Sequence, residues 1–195
     1  MDFPALALLE FESIAVGIEA GDAMVKRAPV AHIYSGTVQP GHYLVMVAGD
    51  VASVEEAVAA GQEVGQPALR DSLFLPNVHP DVVAALSGNR HQGEADALGV
   101  VETHTVASAI LAADAGVKGA EVSLLQLRLA DGLGGKGILF FNGLVADVET
   151  AVSIAAEIAQ TQLLRQSVIA QLHGEMWENV NQYGRFGGHF NWEAA

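Results

Sequence analysis

The sequence contains no cysteine, few basic residues and no long hydrophobic run. Without cysteine the chain can form no disulfide and can hold no iron–sulfur cluster or zinc ion through thiolates. Nine Lys and Arg against 23 Asp and Glu give a formal charge of −14, which disfavours binding to nucleic acid or to an anionic membrane. Every apolar stretch is interrupted well before the roughly 18 residues that a membrane helix needs. We therefore expect a soluble, cytoplasmic protein without a leader sequence, and no nucleic-acid or membrane partner.

What the sequence does contain is one pattern that occurs twice. Ala5–Val30 returns as Ala97–Val122, 92 residues later, with 12 identical residues. Gly41–Gly65 returns as Gly135–Ala159, now 94 residues later, so the two extra residues must lie in the loop before Gly135. A solenoid unit has about 20–50 residues, so each copy here is long enough to be a whole small domain.

The repeat predicts how the chain is divided. We expect a first domain at 4–87 and a second at 96–183, joined by the polar, Gly-containing stretch Ser87–Asp96. An aromatic and Gly-rich tail at 184–195 would follow. Aromatic residues near the end of the chain, beginning with Trp177, are expected to fold back onto the parent domain or onto a neighbour.

Each copy reads as strand, helix, strand, strand, helix, strand, helix. Helical spacing of the small and apolar residues predicts a helix over Ile14–Lys26, and its repeat predicts another over Val106–Lys118. A capping box beginning at Ser53 predicts the start of the next helix, and Asp147 is expected to cap the helix that repeats it. This order of elements predicts an α/β fold, with an α+β sandwich in each copy.

A glycine-rich segment matches a nucleotide-binding pattern in letters only. Gly132–Gly137 spells G-x-G-x-x-G, but Ile138–Phe141 follows it and has the composition of a strand. The dinucleotide fingerprint needs a helix at that point, because the pyrophosphate binds at the helix N-terminus. We therefore predict a hairpin connection there and no nucleotide site.

The carboxylates and histidines show no catalytic arrangement. Asp22 and Lys26 stand at i, i+4, the spacing of an ordinary helix ion pair, and the second copy repeats them. Glu10 and its repeat Glu102 each end a strand at the start of a helix, where a carboxylate favours free amides. The histidines lack the spacing of a helical metal site. We expect no catalytic residue, no metal, no cofactor and no enzymatic activity.

Three motifs, each present in both copies, resemble the shell domain of bacterial microcompartments. Ala-Leu-x-x-x-Glu stands at Ala5–Glu10 and Ala97–Glu102, Ala-x-Asp-Ala-x-Val-Lys at Ala20–Lys26 and Ala112–Lys118, and Gly-x-Val-Ala-x-Val-Glu-x-Ala-Val at Gly49–Val58 and Gly143–Val152. Two tandem copies are similar to the tandem-domain shell proteins, which form trimers shaped like hexamers. Because each copy begins with the first motif, the chain resembles the unpermuted, propanediol-type branch.

The resemblance implies sites for a pore and for contacts between tiles. The family's pore loop matches Gln39, Pro40 and Gly41 in the first copy and Leu133, Gly134 and Gly135 in the second. The family's edge lysine matches Lys26 and Lys118. Its Pro-Arg-Pro-His edge pattern appears as Pro76–His79 and as Ala170–His173, without either arginine. The iron–sulfur cluster that some relatives bind through cysteine does not carry over.

Two functions from different classes fit these observations. The first is a structural shell protein: a homotrimeric tile in the microcompartment shell, with small metabolites crossing its pore. Its partners would be other shell proteins, and encapsulated enzymes are further candidates. The second is a trimeric small-molecule sensor or enzyme with sites between subunits. A tile should form sheets or tubes, whereas a sensor should stay a discrete trimer.

Overall fold

The computed structural model describes residues 4–88 and 96–181, which form two four-stranded antiparallel sheets with helices packed on them. The first copy contains β1 (Ala5–Phe11), α1 (Ile14–Arg27), β2 (His32–Val38), β3 (His42–Gly49), α2 (Val51–Gly65), β4 (Leu69–Leu75) and α3 (Pro80–Leu86). The second contains β5 (Ala97–Thr103), α4 (Val106–Gly119), β6 (Ser123–Leu129), β7 (Gly137–Gly143), α5 (Val145–Ala159), β8 (Leu163–Ala170) and α6 (Gly174–Asn181). The strand orders are β2-β3-β1-β4 and β6-β7-β5-β8, and the predicted element order is confirmed.

Each sheet has its own helix layer, which confirms the predicted sandwich. In the first copy α1 and α2 lie side by side on one face of the sheet. Alternate residues of β1, such as Leu9 and Phe11, point into that layer. Leu6 and Leu8 point to the opposite face and join a core that continues into the second copy. Strand β1 is therefore buried along its whole length. The predicted domain bounds remain a prediction, and the tail at 184–195 lies outside the described residues.

Both predicted helix caps are wrong. Helix α2 is capped by Asp50, whose side chain accepts a hydrogen bond from the Ser53 amide at 3.0 Å. That bond lowers the pKa of Asp50, because it stabilises the ionised carboxylate. Helix α5 begins at Val145 after Leu144, which offers no capping side chain. Asp147 lies inside the first turn, where its charge still favours the positive end of the helix dipole.

The glycine-rich segment is a hairpin connection, as predicted. Strands β6 and β7 pair antiparallel on either side of it, from Leu129 opposite Gly137 onward. No helix follows the segment, so the geometry of a dinucleotide site is not present at this loop.

The two copies fill the same core with exchanged side-chain sizes. In the first copy α1 contributes Met24 and β3 contributes Val47, and both are fully buried. At the matching positions of the second copy α4 has Gly116 and β7 has Phe141. A Cβ atom added to Gly116 would lie 2.2 Å from Cζ of Phe141, so the phenyl ring occupies space next to the helix backbone. The volume lost from the helix is thus regained from the strand.

A second exchange runs in the same layer. Gly17 on α1 faces Tyr43 on β3, and an added Cβ would lie 2.7 Å from the Tyr43 ring. The second copy has Ala109 on α4 and Gly137 on β7 instead, where an added Cβ would lie 2.3 Å from the alanine methyl. Each pair combines one larger residue with one glycine, so the helix-to-sheet distance can stay similar in the two copies.

This exchange predicts strong coupling between two positions. Gly116→Met alone should destabilise the protein by about 1–3 kcal/mol, because the phenyl ring already fills the site. Adding Phe141→Val should recover part of the loss, since it removes the ring from the site, while Ala155 still stands where the first copy has Gly61 beside Met24. Chemical denaturation of the single and double variants measures the coupling. Gly36→Ala, at a position with open space around it, is the control. Additive losses in the double variant would contradict the exchange.

Candidate functional site

The two copies meet along helix α4, which packs against β4 and α3 of the first copy; we call this contact the seam. At its centre Glu10 is completely buried. Its Oε2 accepts a hydrogen bond from the Val106 amide, at the first residue of α4, over 2.8 Å. A carboxylate stabilises a helix N-terminus. The sequence predicted this role for Glu10, but the helix belongs to the other copy.

Two further side chains of the first copy surround the second oxygen of Glu10. Its Oε1 lies 3.2 Å from Arg70 Nε and 3.6 Å from His42 Nδ1. Burial raises the pKa of Glu10, although the Val106 amide and the Arg70 charge act in the opposite direction. Burial also lowers the pKa of His42, and the neighbouring Arg70 charge adds to that effect. The lowered pKa of His42 favours its neutral form, so that Arg70 is the cation facing Glu10.

The seam is extended by hydrogen bonds at the start of α4. Arg70 Nη2 donates to the carbonyl of His104 at 3.0 Å. Asp71 accepts hydrogen bonds from the hydroxyls of Thr105 and Ser108, the latter over 2.8 Å. Thr105 is also the residue that caps α4, accepting from the Ser108 amide at 3.3 Å. Carboxylates of the first copy thus hold the amide end of a helix in the second.

The two predicted edge lysines have different surroundings. Each forms the predicted ion pair over 2.5 Å, Lys26 with Asp22 and Lys118 with Asp114. Lys118 also donates to the carbonyl of Asn77, which lies across the seam in the first copy. Lys26 makes its pair on an exposed surface. The structure therefore places Lys118 at the seam and Lys26 on an exposed surface, and their role as edge contacts remains a prediction.

Helix α1 carries the same apolar face as α4, but no element in the described part of the chain covers it. Ile18 is 53% exposed, whereas its counterpart Ile110 is completely buried by the seam. The same contrast holds for the pairs Ile14 and Val106, and Val25 and Val117. An apolar surface that is buried in one copy and bare in the other indicates a missing neighbour.

The complementary surface is bare at the opposite end of the chain. In the first copy Leu73 and Leu75 on β4 are buried against the seam. Their counterparts on β8 are Ser167 and Ile169, and both are exposed. Among the described residues one seam is therefore filled, while the surfaces that correspond to its two halves, on α1 and on β8, are exposed.

The hairpin loops predicted to line the pore touch each other. The Gln39 amide donates to Asp131 Oδ1 at 3.2 Å, and the Gly132 amide donates back to Gln39 Oε1 at 3.1 Å. A Cβ added to Gly135 would lie 2.8 Å from Pro40 Cδ, so the second loop passes close to the first. Gly134 has open space around it and a φ of +64°, which glycine adopts without strain.

The structure also describes the other two predicted pore residues, Gly41 and Leu133, and the lysine that follows the second loop. Gly41 adopts a φ of +125° at the tip of the first loop and is exposed, and Leu133 is half-buried in the second. Beyond the loop Lys136 Nζ lies 3.7 Å from Glu102, which partly offsets its charge. The described residues of the two loops expose backbone amides and carbonyls, and they include no nucleophile with an adjacent base.

Sequence reasoning missed Arg70 and Asp71, which bind across the seam, and His42, which lies beside Glu10 within the first copy. A signal was available, because the repeat is broken there. The second copy has Lys136 at the position of His42, and Leu164 and Arg165 at those of Arg70 and Asp71. Polar residues that differ between otherwise similar copies indicate that the two surfaces meet different neighbours.

The described part of the chain offers neither a metal site nor a membrane span. Across residues 4–88 and 96–181, no group of three or more His, Asp or Glu side chains is arranged to hold a metal ion. Within the same residues, none of the helices combines the length and apolar character needed to cross a bilayer.

Comparison with known families agrees with the duplicated architecture. The model of the BMC domain matches residues 5–78 and again residues 97–172. The chain belongs to the BMC-domain family. This BMC-domain protein is 43% identical to the bacterial microcompartment shell protein PduT of Citrobacter freundii, over 90% of this chain and 97% of that protein. It is 35% identical to the shell protein PduA of the same organism, over 42% of this chain and 90% of PduA.

Solved structures give the same assignment. A microcompartment protein from Desulfitobacterium hafniense superposes with a TM-score of 0.77 at 39% identity, covering 89% of this chain and 98% of that one. The fused, permuted shell protein MSM0275 shares the fold, with a TM-score of 0.56 at 18% identity. The chain is therefore a tandem BMC shell protein.

Proposed function

We propose that this BMC protein is a structural tile, not an enzyme, in the shell of a microcompartment in the cytoplasm. Three chains would form a ring of six domains around a pore for small metabolites. The bare face of α1 is the observation that carries the proposal, because the same face is already covered by β4 and α3 when it occurs on α4. Other shell proteins, and enzymes inside the shell, would be its partners.

The kind of contact that the seam makes supports ring closure. The seam is heterologous, since β4 of one domain meets the first helix of the next. Repeated contacts of this kind close into a ring when the rotation allows it. A neighbouring chain can repeat the seam by placing β8 against the bare face of α1. The trimer is further supported by the resemblance to tandem-domain shell proteins that are trimers.

The second seam would use different polar side chains. Glu102 corresponds to Glu10 and would face the amide of Ile14 in the neighbouring chain. Arg165 stands where the first seam has Asp71, so it would bring a positive charge to the start of α1. Glu12, next to the α1 cap Ser13, is an acidic residue within reach of that charge. The seam within a chain and the seam between chains would thus differ in chemistry.

The trimer is tested by charging the bare helix face. Ile18→Glu should convert a particle of three 20.3 kDa chains into single chains at micromolar concentration, because each new seam would bury an unpaired carboxylate. Light scattering measures the mass. Ile158→Glu is the matched control, because Ile158 and its counterpart Val64 are exposed in both copies. An intact trimer from Ile18→Glu, or a monomeric wild type, would overturn the ring.

Lateral assembly is assigned to the edge lysines, Lys26 and Lys118. Electron microscopy of purified wild-type protein should show sheets or tubes, and Lys26→Asp should yield trimers without them. Lys26 is the cleaner test, since changing Lys118 would also break its bond to Asn77 at the seam. Discrete wild-type trimers that bind a metabolite would favour a sensor or enzyme with sites between subunits. Normal sheets from Lys26→Asp would place the edge contact elsewhere.

The pore is assigned to the paired hairpin loops, three copies each of Gln39–Gly41 and Leu133–Gly135. Their mutual hydrogen bonds support this, because loops that ring one opening must be neighbours. Glycines let the backbones approach an axis and leave amides facing the solute.

The pore assignment predicts a size effect at one position. Gly134→Trp should reduce the passage of small solutes through reconstituted shells several-fold, because its side chain would project into open space. Gly88→Trp is the control: Gly88 also has a positive φ and open surroundings, but it lies at the end of α3. Both variants carry a similar backbone strain. Unchanged permeability with the Gly134 variant incorporated would remove the pore from these loops.

A further inference from the structure

The paired hairpin loops carry one charge of their own. Of the residues at 37–41 and 130–135, Asp131 is the only ionisable one. Asp131 is exposed, and it lines the same cavity of about 570 Å³ as Gln39, Pro40 and Gly134. It was not among the residues that the sequence predicted for the pore, although three of those residues share this cavity with it.

Hydrogen bonds hold the Asp131 carboxylate against Gln39, a predicted pore residue. The Gln39 amide donates to Asp131 Oδ1 over 3.2 Å, and the Gly132 amide donates to Gln39 Oε1 over 3.1 Å. Both bonds cross between the two copies, so they fix the carboxylate relative to both loops. If Gln39 lies at the opening, the charge of Asp131 therefore lies there as well.

Neighbouring cations do not neutralise this carboxylate. Arg128 and Lys136 are the closest basic residues along the chain. Lys136 Nζ lies 3.7 Å from Glu102 Oε2, which offsets part of its charge. Burial lowers the pKa of His42, which lies next to the second loop, so its ring favours the neutral form. Among residues 4–88 and 96–181, Asp131 forms no ion pair.

Backbone amides of the loops offset the charge only in part. Amides attract an anion where several of them point at one spot. The amides of Gln39 and Gly132 already donate to the side-chain oxygens described above. The amides of Gly41 and Leu133 donate to carbonyls within their own loops, each over 2.9 Å. Fewer amides are thus available to an anion, and the Asp131 carboxylate dominates the charge of the loops.

We propose that Asp131 gives the pore its charge selectivity, so that small cations and neutral metabolites pass and small anions are held back. This assignment rests on the proposed ring and pore, in which three copies of each loop surround one axis. Three Asp131 carboxylates then face one opening, and rings of carboxylates favour cations in channels. The low-dielectric protein around a narrow opening concentrates their field. Carboxylate and phosphate metabolites are the class of solute that this pore disfavours.

A single thiol in the second loop measures the charge there in the purified protein. The chain has no cysteine, so Gly134→Cys adds one reactive group at an exposed position with open space around it. Its reaction rates with a cationic and an anionic methanethiosulfonate are each divided by the rate with free 2-mercaptoethanol. Adding Asp131→Asn should lower the ratio of the cationic to the anionic rate about tenfold, the lower end of electrostatic focusing. Asparagine keeps an oxygen that can accept from the Gln39 amide.

Asp50→Asn is the matched control for the loss of charge. Asp50 is also exposed, and its Oδ1 also accepts a backbone amide, that of Ser53, over 3.0 Å. It follows β3 at the end away from the hairpin loop, about 25 Å from that loop at roughly 3.3 Å per residue. Both variants remove one negative charge per chain. An equal fall in the ratio for both would assign the effect to the net charge of the particle and overturn the proposal.

Solute entry into reconstituted shells shows whether the charge acts on passage. Thallium(I), iodide and acrylamide quench an enclosed dye-labelled protein as they enter, and they are a cation, an anion and a neutral solute. Asp131→Asn should lower the ratio of thallium to iodide entry about tenfold, with acrylamide entry unchanged. Asp50→Asn should leave the ratio as it is in the wild type. Stopped-flow fluorescence measures all three rates.

The results also separate a failure of the charge selectivity from a failure of the proposed pore. An unchanged thiol ratio in Asp131→Asn overturns the role of Asp131, whether or not the loops form a pore. A changed thiol ratio with an unchanged entry ratio overturns it too. Gly134→Trp then shows which part failed, because reduced acrylamide entry keeps the pore at these loops and unchanged acrylamide entry removes it.

Discussion

The packing of α4 onto β4 and α3 is the contact on which the rest of this structure depends. It buries one apolar helix face and places the buried Glu10 carboxylate at the first amide of α4. Because Glu10 is desolvated there, it needs Arg70 and the helix amides around it. The same helix face on α1 is exposed, with no partner among residues 4–88 and 96–181. A duplicated chain with one seam filled therefore carries the surfaces for further seams.

The two copies keep one fold while their interiors and surfaces diverge. Inside, Met24 and Val47 are exchanged for Gly116 and Phe141, which preserves packed volume with different residues. At the surface, residues at matching positions of the two copies differ in charge, as Asp71 and Arg165 do. The duplicated domains thus share one backbone fold but have different contact surfaces. A ring built from such a chain alternates two kinds of seam, whereas a ring of identical domains has one.

The two hairpin loops differ in length, and the difference creates contacts between them. The second loop is longer by two residues, and the flanking strands β6 and β7 remain paired. The additional residues bring Asp131 and Gly132 against Gln39 of the other loop. Loops tolerate such insertions because no packed core is disturbed. The opening that these loops are proposed to form can therefore change while the sandwich behind it is unchanged.

The sequence by itself determined the duplication, the order of elements, the hairpin at Gly132–Gly137 and the family, because these depend on local periodicity and on repeated motifs. It misplaced the caps at Ser53 and Asp147, since several nearby polar residues can cap a helix and packing selects among them. Only the tertiary structure decided that Glu10 reaches α4 of the other copy, and that Ile18 is bare where Ile110 is covered. These facts join residues nearly a hundred positions apart. Identical residues at matching positions cannot reveal which surfaces meet, because burial is a property of the neighbour as well as of the residue.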